Sequence, residues 1–403
     1  MIAENRRARA HIDIPLIIIV YALSIFGILA VAVATFSTSS TSDASLLSHI
    51  AESSYASRQA LFVLASTLVL AFFTRALPLS FLRRNTRLIY WSATALIALV
   101  WVFNRATGVK QWLDIIWGFT IQPTEFAKLA IILMLADEMC REEKPMSNRK
   151  SFIRTGLIVG IPGIIIMLSG ETGSFIVVAF LFVFMLWFAR VDVKLLLIMV
   201  AIVALLLLAV YAFAVASGSD DYRLQRIVSF FNPEQFADSS SYQQTHSKIA
   251  IGSGGVRGVG MFVQGSSYLL DFVPADWTDF VFATIGEAWG FVGCIGVLIA
   301  YLLMIGRMLY LARFTRDRFG MLVIIGVAGM FLFHVVQNIG MTTGLLPITG
   351  IPLPFLSYGG SNMITNMAGV GLVLNVTRNR SLAGSFKTPG QSVSMLRYTN
   401  DYR

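Results

Sequence analysis

The sequence predicts an all-α integral membrane protein of about ten transmembrane helices, with a long extracytoplasmic loop between helices 7 and 8. Three observations carry that prediction. Of 403 residues, 56% are hydrophobic and 13% charged, whereas a soluble domain carries roughly 25% charged residues. Apolar runs of about 20 residues, enough to cross a hydrocarbon core at helical rise, recur along most of the chain. These runs are continuous rather than alternating, so the backbone satisfies itself as helix and not as a closed barrel.

In chain order, Arg6, Arg7 and Arg9 precede the first span, Ile14 to Phe36. A Ser-rich stretch, Ser37 to Ser57, leads to the second span, Gln59 to Leu79, which is followed by Arg83, Arg84 and Arg87. The third span covers Leu88 to Phe103, and the fourth runs from Gln122 to a polar loop, Arg141 to Lys150. Spans five and six flank the turn Ser169 to Ser174, and span seven is Leu195 to Ala216. Span eight runs from Thr278 to Arg307, span nine from Met321 to Met341, and span ten from Gly360 to Asn375. The organisation expected is a cytoplasmic basic segment, 1–13, a membrane domain, 14–376, containing the outer loop 217–277, and a cytoplasmic tail, 377–403.

Charge placement orients these spans. The amino terminus, the 80s, 140s, 190s and 310s loops and the tail are basic and fall on one side, which the positive-inside rule makes cytoplasmic. The outer loop holds four basic and six acidic residues and does not resist translocation. The net charge of +9 is therefore a matter of topology, and no basic face with interleaved aromatics points to nucleic acid. Cys140 and Cys294 lie in different spans and imply neither a disulfide framework nor a thiolate metal site. No cleavable signal peptide and no internal repeat of the kind transporters show are expected.

Ionisable groups at membrane depth are costly, so each calls for an explanation. Glu125 and Lys128 stand three apart at the outer end of span four and share a helix face. They read first as an ion pair that fixes helix packing, and second as substrate contacts. Glu171 sits at the outer mouth of the 169–174 turn, either as a capping carboxylate or facing a substrate. The outer loop carries six glycines from Gly252 to Gly265. With Arg226, Lys248 and Arg257 they form a candidate phosphate or pyrophosphate site, against the alternative of a solvated flexible loop. Asp279 opens span eight at the interface, where desolvation or a neighbouring cation tunes a carboxylate for general-base work. The competing reading is a helix N-cap, a place Thr278 could also fill. Glu287, about 12 Å deeper along the axis, reads as structural. His334 reads as a hydrogen-bonded packing residue.

Four stretches together resemble the SEDS family (shape, elongation, division and sporulation), and its RodA-like branch in particular. They are Gln122-Pro-Thr-Glu-Phe-Ala-Lys128, Ser247-Lys-Ile-Ala-Ile-Gly-Ser-Gly-Gly255, Thr278-Asp-Phe280 and Gly344-Leu-Leu-Pro-Ile-Thr-Gly-Ile-Pro-Leu-Pro-Phe-Leu-Ser-Tyr-Gly-Gly-Ser361. The resemblance implies a peptidoglycan glycosyltransferase that polymerises lipid II, an undecaprenyl-pyrophosphate-linked disaccharide-pentapeptide, beside a class B penicillin-binding protein. It places the catalytic carboxylate at Asp279. The chain departs from the family pattern at Ala275 and Trp277, where Glu and His are usual, and Asp276 stands between them as a substitute acid. Gln111 replaces a usual Arg beside Lys110, His246 replaces a usual Gln, and Ser169 to Ser174 replaces a usual Gln-Pro-Asp-Leu-Gly-Thr.

On this reading the acceptor sugar's 4-hydroxyl loses its proton to Asp279 and attacks C1 of the donor with inversion. Arg226, Lys248, Arg257 and Lys110 stabilise the departing pyrophosphate, and Glu171 and Asp276 also contact substrate. The resemblance fixes no cofactor; a divalent cation, Mg or Mn, has a role available beside the pyrophosphate. Two rivals share the membrane position: a flippase for lipid II, and a non-catalytic scaffold that activates its transpeptidase. The outward concentration of ionisable residues favours the enzyme over a polar path through the whole bilayer.

Overall fold

The computed structural model describes residues 12–36, 50–51, 53–103, 112–114, 120–142, 145–146, 148–201, 241–263 and 276–385, with a few isolated positions between them. Its helices are α1 (Ile14–Ala34), α2 (Ser54–Arg75), α3 (Leu79–Phe103), α4 (Pro123–Met139), α5 (Arg149–Ser169), α6 (Thr172–Phe188), α7 (Tyr242–Ser253), α8 (Val281–Arg313), α9 (Arg318–Thr342) and α10 (Gly360–Ser385). A two-residue antiparallel pair, β1 (Leu113–Asp114) and β2 (Thr120–Ile121), precedes α4. Among the described residues six helices, α1, α2, α3, α5, α8 and α9, are long and apolar enough to cross a membrane, and α6 is a shorter apolar helix. Residues 193–201 are helical where span seven begins; most of that span, like Lys110 and Arg226, lies outside the described residues.

Helix starts follow local chemistry. Asp13, Ser53, Asn148 and Asp317 each accept a hydrogen bond from a backbone N–H in the first turn of α1, α2, α5 and α9. Two boundaries differ most from the sequence expectation: α10 runs on past Asn375 to Ser385, and α3 begins at Leu79, so Arg83, Arg84 and Arg87 ride on the helix instead of forming a loop. Their long aliphatic stems let a helix start below the point where the charged heads reach water.

α4 and α9 form the centre, with nearly every side chain buried, packed among α3, α5, α6, α8 and α10. The peripheral helices turn large apolar side chains outward, among them Leu64 and Leu68 on α2, Leu88 on α3, Ile164 on α5 and Leu302 on α8, with Leu68 74% exposed. Such a surface suits lipid and not water. The bundle's two ends differ. At one, Arg307 meets Asp13 at 2.8 Å, Arg141 meets Asp137 at 2.7 Å, Arg154 meets Glu138 at 3.1 Å, and Arg83 lies 3.9 Å from both Asp137 and Asp317. At the other, the residues 344–360 fold back among the helix ends, and the candidate site lies there.

Candidate active site

The span that follows Asp279 is broken. Gly290 interrupts α8 at φ 64° and ψ −158°, leaving a short inner segment, Val281–Trp289, buried except for partly covered Trp289. The break exposes backbone groups that the helix can no longer satisfy, and the Gly-rich segment after α7 satisfies them. Val259 N–H donates to Glu287 O (2.9 Å) and Gly260 N–H to Ala288 O (3.1 Å). In return Phe291 N–H donates to Gly255 O (2.9 Å) and Val292 N–H to Val256 O (3.2 Å). Close approach needs glycine: a Cβ on Gly254 would lie 2.0 Å from Gly286 O, and one on Gly258 would lie 2.2 Å from Ala288 O. The anion nest expected from these glycines is therefore replaced by a packing joint. The amides of Gly254, Gly255, Gly258, Val259 and Gly260 all donate to backbone carbonyls.

Lys248 and Arg257 remain exposed on this joint. α7 holds Lys248 in place through Ser247 Oγ, which donates to Thr342 O (2.9 Å), and Gln244 Nε2, which donates to Met341 O (2.9 Å) and Leu346 O (2.8 Å). The lysine stem runs over Gly344, 2.8 Å from where its Cβ would be.

The turn Asp276–Phe280 carries Asp279. Asn338 on α9 donates through Nδ2 to Asp279 O (2.7 Å) and to Ile351 O (2.8 Å). Tyr358 N–H donates to Trp277 O (2.9 Å), so the turn is tied to the 344–360 segment twice. That segment is itself fixed by buried donors: Gln337 to Pro347 O (3.0 Å), Tyr301 to Pro354 O, and Gln59 to Ser357 O (3.1 Å). On the turn, Asp276 is 2% exposed and buried, whereas Trp277, Thr278 and Asp279 are partly exposed. The N-cap position of α8 falls on Phe280, one residue past Asp279.

Below the segment, Lys128 Nζ donates to Glu125 Oε1 (2.8 Å) and lies 3.0 Å from His334 Nε2. An ammonium only donates, so Nε2 accepts, and the proton on Nδ1 points at Pro352 O (3.2 Å). Glu125, Lys128 and His334 are all buried, and the chain they form joins α4, α9 and the segment. Glu171, buried at the start of α6, accepts from Thr124 Oγ1 (2.6 Å) and Ser174 Oγ (2.8 Å), which links α4 to α6. Glu287 is buried in the inner half of α8.

The fold thus sets the Asp279 turn and Lys248 against the 344–360 segment, and Arg257 against the break of α8 at Gly290. Sequence reading missed Asn338, Gly290 and Tyr55. Asn338, an amide inside an apolar span, and Gly290, a glycine inside an apolar run, carried local signals. Among the described residues no group of three His, Cys, Asp or Glu side chains is arranged to hold a metal ion.

Fold and site define a multi-pass helical membrane protein with a partly exposed carboxylate on a clamped turn. A family model described as cell cycle protein, FtsW/RodA/SpoVE, matches residues 15–382. The chain belongs to that family. It is 34% identical over 276 residues to the peptidoglycan glycosyltransferase MrdB of Escherichia coli K12, covering 68% of this chain and 72% of that protein. It is 31% identical over 361 residues to the peptidoglycan glycosyltransferase RodA of Treponema pallidum, covering 72% and 82%. Among solved structures it resembles a chain of a peptidoglycan synthase complex that coordinates polymerization and crosslinking. There the TM-score is 0.72 at 25% identity, covering 92% of this chain and 98% of that one. It also resembles the rod shape determining protein RodA of Thermus thermophilus, with TM-score 0.64 at 26% identity over 92% and 97%.

Proposed function

We propose that this protein is a peptidoglycan glycosyltransferase that polymerises lipid II on the outer face of the bacterial cytoplasmic membrane, in cell elongation and shape maintenance. It spans the membrane about ten times, with both termini cytoplasmic and the 217–277 loop outside. The observation that carries the reading is the partly exposed Asp279, on a turn tied to α9 and to the 344–360 segment, in a chain of this family.

Asp279 takes the proton of the acceptor's 4-hydroxyl as that oxygen forms a bond to C1 of the donor sugar. The C1–O bond to pyrophosphate breaks on the opposite face, and the configuration inverts. Undecaprenyl pyrophosphate leaves as an anion, so charge stabilisation matters more than protonation. Lys248 and Arg257, with Arg226 and Lys110 from segments outside the described residues, provide it. A class B penicillin-binding protein supplies crosslinking, a pairing supported by the similarity to a chain of a synthase complex.

The test is glycan-chain formation from purified lipid II by the protein with its cognate transpeptidase, wild type against Asp279→Asn. Polymer from wild type and none from a folded, partner-binding variant supports the enzyme and its base. No polymer from either, with the complex intact, transfers the reading to a flippase or a scaffold.

A further inference from the structure

We propose that Trp277, with Tyr55 beside it, forms an aromatic wall that packs against a hexosamine ring of the lipid-linked substrate next to Asp279. This inference rests on the glycosyltransferase reading and assigns part of its substrate contact.

Trp277 stands two residues from Asp279 on one turn, and both are partly exposed, whereas Asp276 and Phe280 on either side are buried. Its backbone is fixed by Tyr358 N–H, 2.9 Å from its carbonyl. Its ring lies 5.4 Å from that of Tyr55, with the planes 33° apart. Tyr55 in turn meets Tyr358 edge-on at 5.3 Å and is 39% exposed. Val31, Ala32 and Ala56 support this group from below. The result is a rigid, partly open aromatic surface beside the proposed base.

The chemistry of the residue narrows what it does. Where the family usually has His, an indole offers one N–H donor and a π face, and it neither accepts nor releases a proton in turnover. A pyranose presents an apolar C–H face that suits an aromatic plane and polar edges that suit the indole N–H. A membrane-anchoring Trp would sit on a lipid-facing helix surface at the interface. Trp277 instead sits on the turn that opens the buried half of α8, between α2 and the 344–360 segment.

The experiment is steady-state polymerisation of lipid II by the complete complex, comparing wild type with Trp277→Phe, Trp277→Leu and Tyr55→Leu. Trp277→Phe stays within about threefold of wild type in KM, and Trp277→Leu raises KM by roughly 5- to 10-fold with little change in kcat. Tyr55→Leu raises KM by about threefold. A wild-type KM in Trp277→Leu overturns the inference. If both leucine variants fail to assemble with the partner, Trp277→Gln decides: it keeps an N–H donor but removes the ring, and an unchanged KM there also overturns the inference. Absence of polymer from wild type overturns the glycosyltransferase reading itself, and this assignment with it.

Discussion

The Asn338 side chain donates from one nitrogen to Asp279 O at 2.7 Å and to Ile351 O at 2.8 Å. One buried amide of α9 therefore holds the turn that carries the proposed base against the segment beside it. Removing it leaves two carbonyls short of a donor, at roughly 1–3 kcal/mol for each buried acceptor. It also frees Asp279 to shift, and a displacement of about 1 Å can cost on the order of a hundredfold in rate. Asn338→Ala is expected to lower kcat for polymerisation by about 10- to 100-fold with KM for lipid II little changed. A rise in KM or a loss of thermal stability with kcat kept would show that Asn338 acts elsewhere.

Lys128 is a buried cation with two partners, Glu125 and His334. Lys128→Met strands the Glu125 charge, and breaking a buried pair from one side costs about 3–5 kcal/mol. The double variant Glu125→Gln with Lys128→Met removes both charges and should recover more than half of the lost thermal stability in detergent. Thermal unfolding of the three variants measures this; a double variant no more stable than Lys128→Met would refute the pairing energetics.

Glu171 receives two hydroxyl donors, Thr124 and Ser174. A glutamine can accept both through its amide oxygen, so Glu171→Gln should keep polymerase activity within about twofold, while Glu171→Ala loses both bonds and about 1–3 kcal/mol. If Glu171→Gln abolishes turnover in a folded protein, the residue's charge contacts substrate.

Gly290 occupies positive φ, and a Cβ there would lie 2.3 Å from Gly258 N. Gly290→Ala is expected to cost at least about 2 kcal/mol through strain and contact combined. It should also detach the 254–260 joint, which limited proteolysis within that segment reads directly. A wild-type cleavage pattern would show that the joint tolerates a side chain.

Much of this was legible in the chain. Apolar runs recur at membrane length, and polar groups in a hydrocarbon must pair or leave it, so the spans and the Glu125–Lys128 pair could be read from spacing alone. At Asp279 the sequence left a helix N-cap open, and the structure puts that cap position on Phe280. The glycines from Gly252 to Gly260 were visible but misread. Glycine permits close approach to any backbone, and nothing local says whether the neighbour is a phosphate or the broken helix at Gly290.

The sequence by itself determined the helical membrane class, most helix positions and the family, since each depends on composition, period or a contiguous motif. Only the tertiary structure decided that Asn338 orients Asp279, that Trp277 stands against Tyr55, and that Glu171 joins two helices. Those contacts join residues distant along the chain. Their existence depends on which helix faces meet, and a single sequence carries no local record of that.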